Sequence, residues 1–458
     1  MNPLLEYFRC PEHYAVINTE ITGPIVKDFF LLDGDLTCYG RYSSSESIVA
    51  RNRAGSGSVE DKVVSIDYSG PLPFDPSDVL YSLRREQYVN GNDDEHFLSS
   101  SVAKAYYGIR PFLPVALRKH LQRARLRNWS KLKFPTWPVD TTVDRLLCKL
   151  MVRALFDLGI SKVPFVWFWP EGASSCAIMT HDVETRTGRD YCTSIMDIDS
   201  QFDTSASFQI VPEQRYEVPK SFLQEIRDRG FEINVQDLNH DGFLFRSRDE
   251  FRRRVEKINL YGREFGALGF RSAALYRRQE WYGSLKFQYD MSVPSVAHLD
   301  PQRGGCCTVM PYFIGDILEL PVTTIQDYSL FHILKTYSLE LWRKQIAIIC
   351  AQHGLMNFII HPDYVMNGEA LKAFKGLLSH LSSIRAEDHV WIAKPADVNH
   401  WWRARSRMEL VDDGGEWRIE GEGKERARIA FACNDNGKLV FELASPGHEV
   451  SSCAHRLS

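Results

Sequence analysis

From about residue 174 to residue 393 the chain alternates short apolar runs with helical patterns of ten or more residues. SCAIMTHDVE, SFQIVP, FEINVQDL, ALGFRSAAL, KFQYDMSVP, ILELPVTTI, LMNFIIHPDY and HVWIAKP read as strands. Between them PKSFLQEIRDRG, DEFRRRVEKINLYGREFG, SLFHILKTYSLELWRKQIAIICAQHG and GEALKAFKGLLSHLSSI read as helices. Parallel strands need a crossover of about a dozen residues, usually a helix, so this alternation predicts βαβ units. Roughly seven such units point to a barrel rather than an open sheet.

The flanks have a different texture. Residues 1–165 read as a mixed α/β region, with VKDFFLLD and LTCYGRY as short strands and RNRAGSGSVEDK, 51–62, as a flexible loop. TTVDRLLCKLMVRALFDLG, 141–159, has apolar spacing near 3.6 and a glycine stop, which predicts a core-facing helix. ALRKHLQRARLRNW, 116–129, predicts a basic helix; it offers peripheral contact with anionic head groups or, more simply, a solvated face. Residues 405–458 alternate over short lengths between DGG, GEGK and NDNG turns, predicting a small antiparallel β meander that packs as a cap or binds a glycan. The domains expected are therefore 1–165, a barrel over 166–404, and the β extension 405–458.

With 44% apolar and 25% charged residues and a net charge of −4, the composition is that of a globular protein and does not suggest nucleic-acid binding. The ten cysteines are scattered without a CxxC pair and read as reduced thiols. The start, MNPLLEYFRCPEHYAV, lacks a basic segment followed by a long apolar run, and no window reaches the ~18 apolar residues of a membrane span. A cytoplasmic protein is expected.

In a barrel of parallel strands, reactive side chains collect at the carboxyl ends of the strands. The first run ends in His181, Asp182, Val183 and Glu184, and the third in Gln236, Asp237, Leu238, Asn239, His240 and Asp241. The fourth ends near Arg271, and later ones carry Glu319 and His361. Asp182 and Glu184 are two apart on a strand and share a face, although two acids there can also cap the following helix. Carboxylates, imidazoles and a guanidinium on one rim suit hydrolysis. A cation polarises a carbonyl, one acid takes a proton from water, and an imidazole gives one to the leaving amine.

Six segments in order resemble the polysaccharide deacetylase family, the NodB-homology group also called carbohydrate esterase family 4. They are THDVE (180–184), RGFEINVQDLNHDG (229–242), GFRSA (269–273), YDMS (289–292), LELPVT (318–323) and IIHPDY (359–364), and the resemblance covers roughly 174–400. It implies a distorted, incomplete (β/α) barrel and removal of acetyl groups from N-acetylated sugars with a divalent metal, usually zinc. Carried over, Asp182 matches the catalytic base, Arg271 the arginine that pairs with it, and His361 the general acid. Glu184, His240 and Gln236 fall in the metal-ligand slots. The family's usual His-x-x-x-His is Gln236 and His240 here, and a histidine often found where Phe231 stands is missing. Glutamine offers a metal only a neutral carbonyl oxygen, a poor match for zinc, so Gln236 reads as an orienting hydrogen-bond partner or as a ligand. His181 reads as support behind the site, as do Asp290 and Glu319. Tyr276, Trp281 and Tyr328 can stack on sugar rings, though aromatics at this density also build cores.

The resemblance implies a carbohydrate N-deacetylase acting on a sugar or glycan precursor, in bacterial envelope or exopolysaccharide assembly. Two other readings stand beside it. One is a non-catalytic glycan-binding protein that lost tight metal binding. The other is a metal-independent hydrolase of another non-peptide C–N bond, as in relatives that open cyclic amides.

Overall fold

The structure is a computed structural model that describes residues 2–44, 49–52, 62–66, 70–89, 126, 129–414 and 416–444. Apart from Leu126 and Trp129, the basic stretch 116–129 lies outside the described residues. Among the described residues no helix is long and apolar enough to cross a membrane. The chain forms two compact units, one of Met1–Tyr88, Thr141–Gly172 and Trp401–Ser458, the other of Val89–Asp140 and Ala173–His400.

The first unit begins with β1 (Ile25–Leu32), β2 (Leu36–Ser43), β3 (Val49–Asn52) and β4 (Lys62–Ile66), in the order β2-β1-β4-β3. The helix Thr142–Leu158 ends as its sequence predicts, with Gly159 left-handed at φ 65°. β5 (Lys162–Val166) follows.

The second unit is built on one mostly parallel sheet. Its strands are β6 (Cys176–Val183), β7 (Ala206–Ile210), β8 (Glu232–Gln236), β9 (Gly269–Arg271), β10 (Tyr289–Asp290), β11 (Tyr312–Ile314), β12 (Ile317–Glu319), β13 (Leu355–Ile360) and β14 (Trp391–Ala393). The order is β11-β12-β10-β9-β8-β7-β6-β13, with β14 beside the first half of β6 and only β11 antiparallel. This is the expected distorted, incomplete (β/α) barrel. Every residue of β6 is buried, as a strand covered on both faces must be. Ala177, Met179 and Val183 join an apolar core with Cys192, Ile195 and Met196 of the helix Arg186–Gln201. The intervening Thr180 and Asp182 lie on the opposite face of the strand.

Among the described residues no backbone ladder joins β13 to the chain beyond β12. Side chains close that seam instead. Thr323 Oγ1 donates to Leu355 O at 2.7 Å and accepts from Asn357 N at 2.9 Å, while Thr324 Oγ1 donates to Asn357 O at 2.7 Å and Asn357 Nδ2 to Leu320 O at 3.0 Å. Leu355 N–H adds one bond to Val309 O, 2.7 Å.

The stretch predicted as one long helix, SLFHILKTYSLELWRKQIAIICAQHG, is broken. A π-type turn over Ser329–Ile333 is followed by a loop, and the α-helix is only Glu340–Cys350. Lys335 is left-handed at φ 57°, Thr336 Oγ1 accepts from Ser338 N and Ser338 Oγ accepts from Glu340 N, so local hydroxyls take over backbone partners that a continuous helix needs.

In the first unit's last segment, β15 (Glu409–Asp413) pairs only with β16 (Glu416–Glu420), while β17 (Ile429–Asp435) pairs with β18 (Lys438–Leu443) and with β5. The expected meander is thus two antiparallel pieces. The β5–β17 ladder places the end of the 1–165 region and the 405–458 extension in one unit rather than two.

Thr323→Val keeps the shape and removes both bonds of one hydroxyl, leaving Asn357 N–H and Leu355 C=O unsatisfied. We expect a loss of about 1–3 kcal/mol in stability by urea denaturation, with Ser383→Ala, a surface hydroxyl change, near zero.

Candidate functional site

Asp182 stands one residue before the end of β6, and its carboxylate is met from β8 and β9, two and three strands away in the sheet. Arg271 Nη1 lies 2.6 Å from Asp182 Oδ1, and Gln236 Nε2 donates to Asp182 Oδ2 at 3.1 Å. Arg271 is fully buried, and it also donates from Nη1 to Thr180 Oγ1 (2.7 Å) and from Nε to Met291 O (3.0 Å). Glu184 lies just beyond β6. Its Oε1 accepts from Gln236 Nε2 at 3.2 Å, lies 2.7 Å from His240 Nε2, and lies 3.4 Å from His361 Nε2. Burial acts to raise the Glu184 carboxyl, but the two imidazoles outweigh it and hold the group well below the usual carboxylate range. The helix after β6 needs neither acid as a cap, because Thr185 Oγ1 accepts from Gly188 N at 3.0 Å.

His361 follows β13. Its Nδ1 lies 2.6 Å from Asp327 Oδ1, and its backbone N–H donates to Asp327 Oδ2 at 2.7 Å. That fixes Nδ1 as the nitrogen facing Asp327 and turns Nε2 toward Glu184. Burial acts to lower His361, but Asp327 and Glu184 raise it well above the ordinary histidine value. Tyr364 stacks on the ring with centroids 4.7 Å apart. Asp327 is the residue that sequence reasoning missed. It follows LPVTTIQ in a loop, where no periodicity or motif marks it, and only the seam between β12 and β13 brings it to the histidine.

The turn after β8 is strained. Asp237 and His240 both adopt left-handed backbone, φ 51° and φ 54°. Asp241 does not reach into the cluster; it pairs with Arg254 (2.8 Å on both oxygens), which outweighs burial and lowers its carboxyl. Asp237 Oδ1 accepts from Leu238 N at 2.7 Å, its Oδ2 is buried without a partner, and burial pushes this carboxyl up to about 6. His181, on the other face of β6, is bound to Asp199 of the helix behind it at 2.8 Å.

The expected ring-stacking residues separate. Tyr276 is buried in the core, and Trp281 packs its ring on Phe251 and Phe245. Both are better explained as core packing than as a sugar platform. Tyr328 lies against Tyr364, 6.0 Å between centroids, beside the His361 ring.

Asp182, Glu184 and His361 each offer one ligand atom, all within 4.8 Å of one another. Gln236 Oε1 is buried without a partner, and His240 Nε2, though close to Glu184, makes no well-directed hydrogen bond. Two carboxylates and two imidazoles fit a divalent cation. The set differs from the expected Glu184, His240 and Gln236. Gln236 turns its amide N–H, not its carbonyl, to both acids, because the reverse orientation would oppose an oxygen to two carboxylates.

No protein-family model and no curated protein matches the chain. Solved structures similar to it include a proposed polysaccharide deacetylase from Mycobacterium smegmatis, 17% identical over 55% of this chain and 98% of that one, with a TM-score of 0.43. An allantoinase is 12% identical over 51% and 92%, TM-score 0.41. A peptidoglycan deacetylase from Bacillus subtilis is 10% identical over 51% and 93%, TM-score 0.33.

Calorimetric titration of the metal-free protein with Zn²⁺ and Mn²⁺ tests the cation fit. Glu184→Gln is expected to weaken binding at least about tenfold, and Gln236→His to tighten Zn²⁺ about tenfold while changing Mn²⁺ little.

Proposed function

We propose that the protein is a hydrolase that removes an N-acetyl group from a sugar or glycan precursor. The observation that carries this reading is the pairing, within one buried cluster, of an arginine-held carboxylate with an aspartate-held imidazole. Asp182 is positioned to take the proton of a water attacking the acetyl carbon, and Arg271 fixes its carboxylate. His361 Nε2 is positioned to protonate the departing amine nitrogen, while Asp327 holds the opposite ring nitrogen and favours the charged ring. The sum is cleavage of the C–N bond by water, giving a free amine and acetate.

A divalent cation would polarise the acetyl carbonyl and acidify the attacking water. Glu184 and His240 would hold it, which leaves Asp182 and His361 for proton transfer. Retention of both a base and an acid counts against a purely glycan-binding protein. One observation favours a second reading: the Gln236 amide already donates to both Asp182 and Glu184. That suits hydrolysis of another non-peptide C–N bond without metal.

Acetate release from N-acetylglucosamine oligomers and nucleotide sugars is the direct assay. Asp182→Asn is expected to lower kcat by about a hundredfold or more, with chelator abolishing turnover. Amide turnover indifferent to chelator supports the second reading instead. His240→Ala should lose cation binding and activity together. His361→Ala should lose activity and keep the cation; loss of the cation with His361 and not with His240 would remove its role as acid.

A further inference from the structure

Behind the site lies a second acidic pair that the hydrolysis does not use. Asp290 ends β10 and Glu319 ends β12, and the two are register partners on adjacent parallel strands. Both are fully buried. As register partners on adjacent strands the two side chains share a face, Glu319 Oε2 is buried without a partner among the described residues, and two carboxylates so placed in a dry interior are not both charged.

The pair organises the turn that follows. Asp290 Oδ2 accepts from Ser292 N (2.9 Å) and Oδ1 from Ser292 Oγ (2.8 Å), while Glu319 Oε1 accepts from Val293 N (3.0 Å). That turn grips the segment carrying Arg271 at two points. Met291 O accepts from Arg271 Nε at 3.0 Å, and Ser292 Oγ accepts from Ser272 N at 2.9 Å.

We propose that Asp290 and Glu319 act as one singly protonated unit that positions Arg271 against Asp182, and that Arg271 loses this placement when the unit is broken. As a role in catalysis the proposal rests on the hydrolase reading above; as a structural unit it does not. Burial raises both acids. Asp290 already collects two donors from Ser292, whereas Glu319 Oε2 has no partner among the described residues, which leaves Glu319 as the acid placed to carry the proton. Arg277 and Tyr282 are the other ionisable groups facing the pair.

The hydrogen-bond inventory makes the two positions unequal. Glu319→Gln keeps an acceptor for Val293 N and supplies a permanent N–H to the Asp290 carboxylate. Asp290→Asn places an N–H against one of the two Ser292 donors and breaks the turn.

The test uses the full-length protein in four forms: wild type, Glu319→Leu, Glu319→Gln and Asp290→Asn. The Arg271 Nε–H line, assigned in ¹⁵N spectra with Arg271→Lys, reports guanidinium placement without any substrate. It should survive in Glu319→Gln and shift or vanish in Glu319→Leu and Asp290→Asn. In the acetate assay the latter two should lose about tenfold or more in kcat with KM within about twofold, and Glu319→Gln should restore most of it.

A carboxyl raised in the folded state contributes its full stability below its unfolded value and loses it as pH rises through the folded value. The melting temperature of Glu319→Gln should therefore gain on wild type as pH rises from about 5 to 8. That arm holds even if Asp290→Asn does not fold. An Arg271 line unmoved by Asp290→Asn and Glu319→Leu overturns the proposal, as does a pH-independent gap between Glu319→Gln and wild type. If no form releases acetate from any substrate, the hydrolase reading fails, and the resonance and melting arms still decide the pair.

Discussion

A guanidinium with no exposure to water is what the barrel interior is arranged around. Arg271 cannot shed its charge, and leaving it unpaired there costs several kcal/mol. Its partners come from separate places: Asp182 and Thr180 on β6, and the Met291 carbonyl after β10. Pairing Nε and Nη1 of one side chain therefore draws three strands together, while Nη2 stays buried without a partner among the described residues. The segment that carries the charge is tightly fitted, because a Cβ at Gly269 would stand 2.2 Å from the Tyr289 ring and 2.7 Å from Asn234 Oδ1. Only glycine lets β9 lie this close to its neighbours.

Strand alternation then separates the polar groups into two populations. On β6, Asp182 meets Arg271 and Gln236, while His181 one residue earlier meets Asp199 on the covering helix. Both are imidazole or carboxylate groups buried in one strand, yet only the first takes part in the cluster. The strained turn after β8 does a related task for His240. With φ at 54° it brings an imidazole back to Glu184 immediately after the strand has ended, and Arg254 anchors the turn through Asn239 and Asp241.

Much of this was legible in the chain. Short apolar runs ending in THDVE and HPDY mark strand ends, and in a parallel barrel strand ends converge, so Asp182, Glu184, Arg271 and His361 could be read together from the chain alone. What stayed hidden depends on side-chain direction or on long-range pairing. Asp327 sits in a loop with no period. The orientation of the Gln236 amide follows from two carboxylates that are 54 and 52 residues away. Tyr276 and Trp281 carry the same aromatic signal whether they face a ligand or a core. The pairing of β5 with β17 joins segments that flank the whole barrel in sequence, and no local pattern announces such a partner.

The side-chain seam between the chain beyond β12 and β13 has its own consequence. The strand that delivers His361 is attached to β6 by a full ladder on one edge, and to the rest of the wall on the other largely through Thr323, Thr324 and Asn357. A ladder fixes spacing for every residue along it, whereas three side chains fix it only where they stand. Displacement at that seam acts first on Asp327 and His361, whereas Asp182 stands on a strand laddered on both sides. The two halves of the cluster are therefore joined by hardware of unequal stiffness: Asp182 rests on a strand laddered to its neighbours, and His361 on one whose second edge is held at a few points.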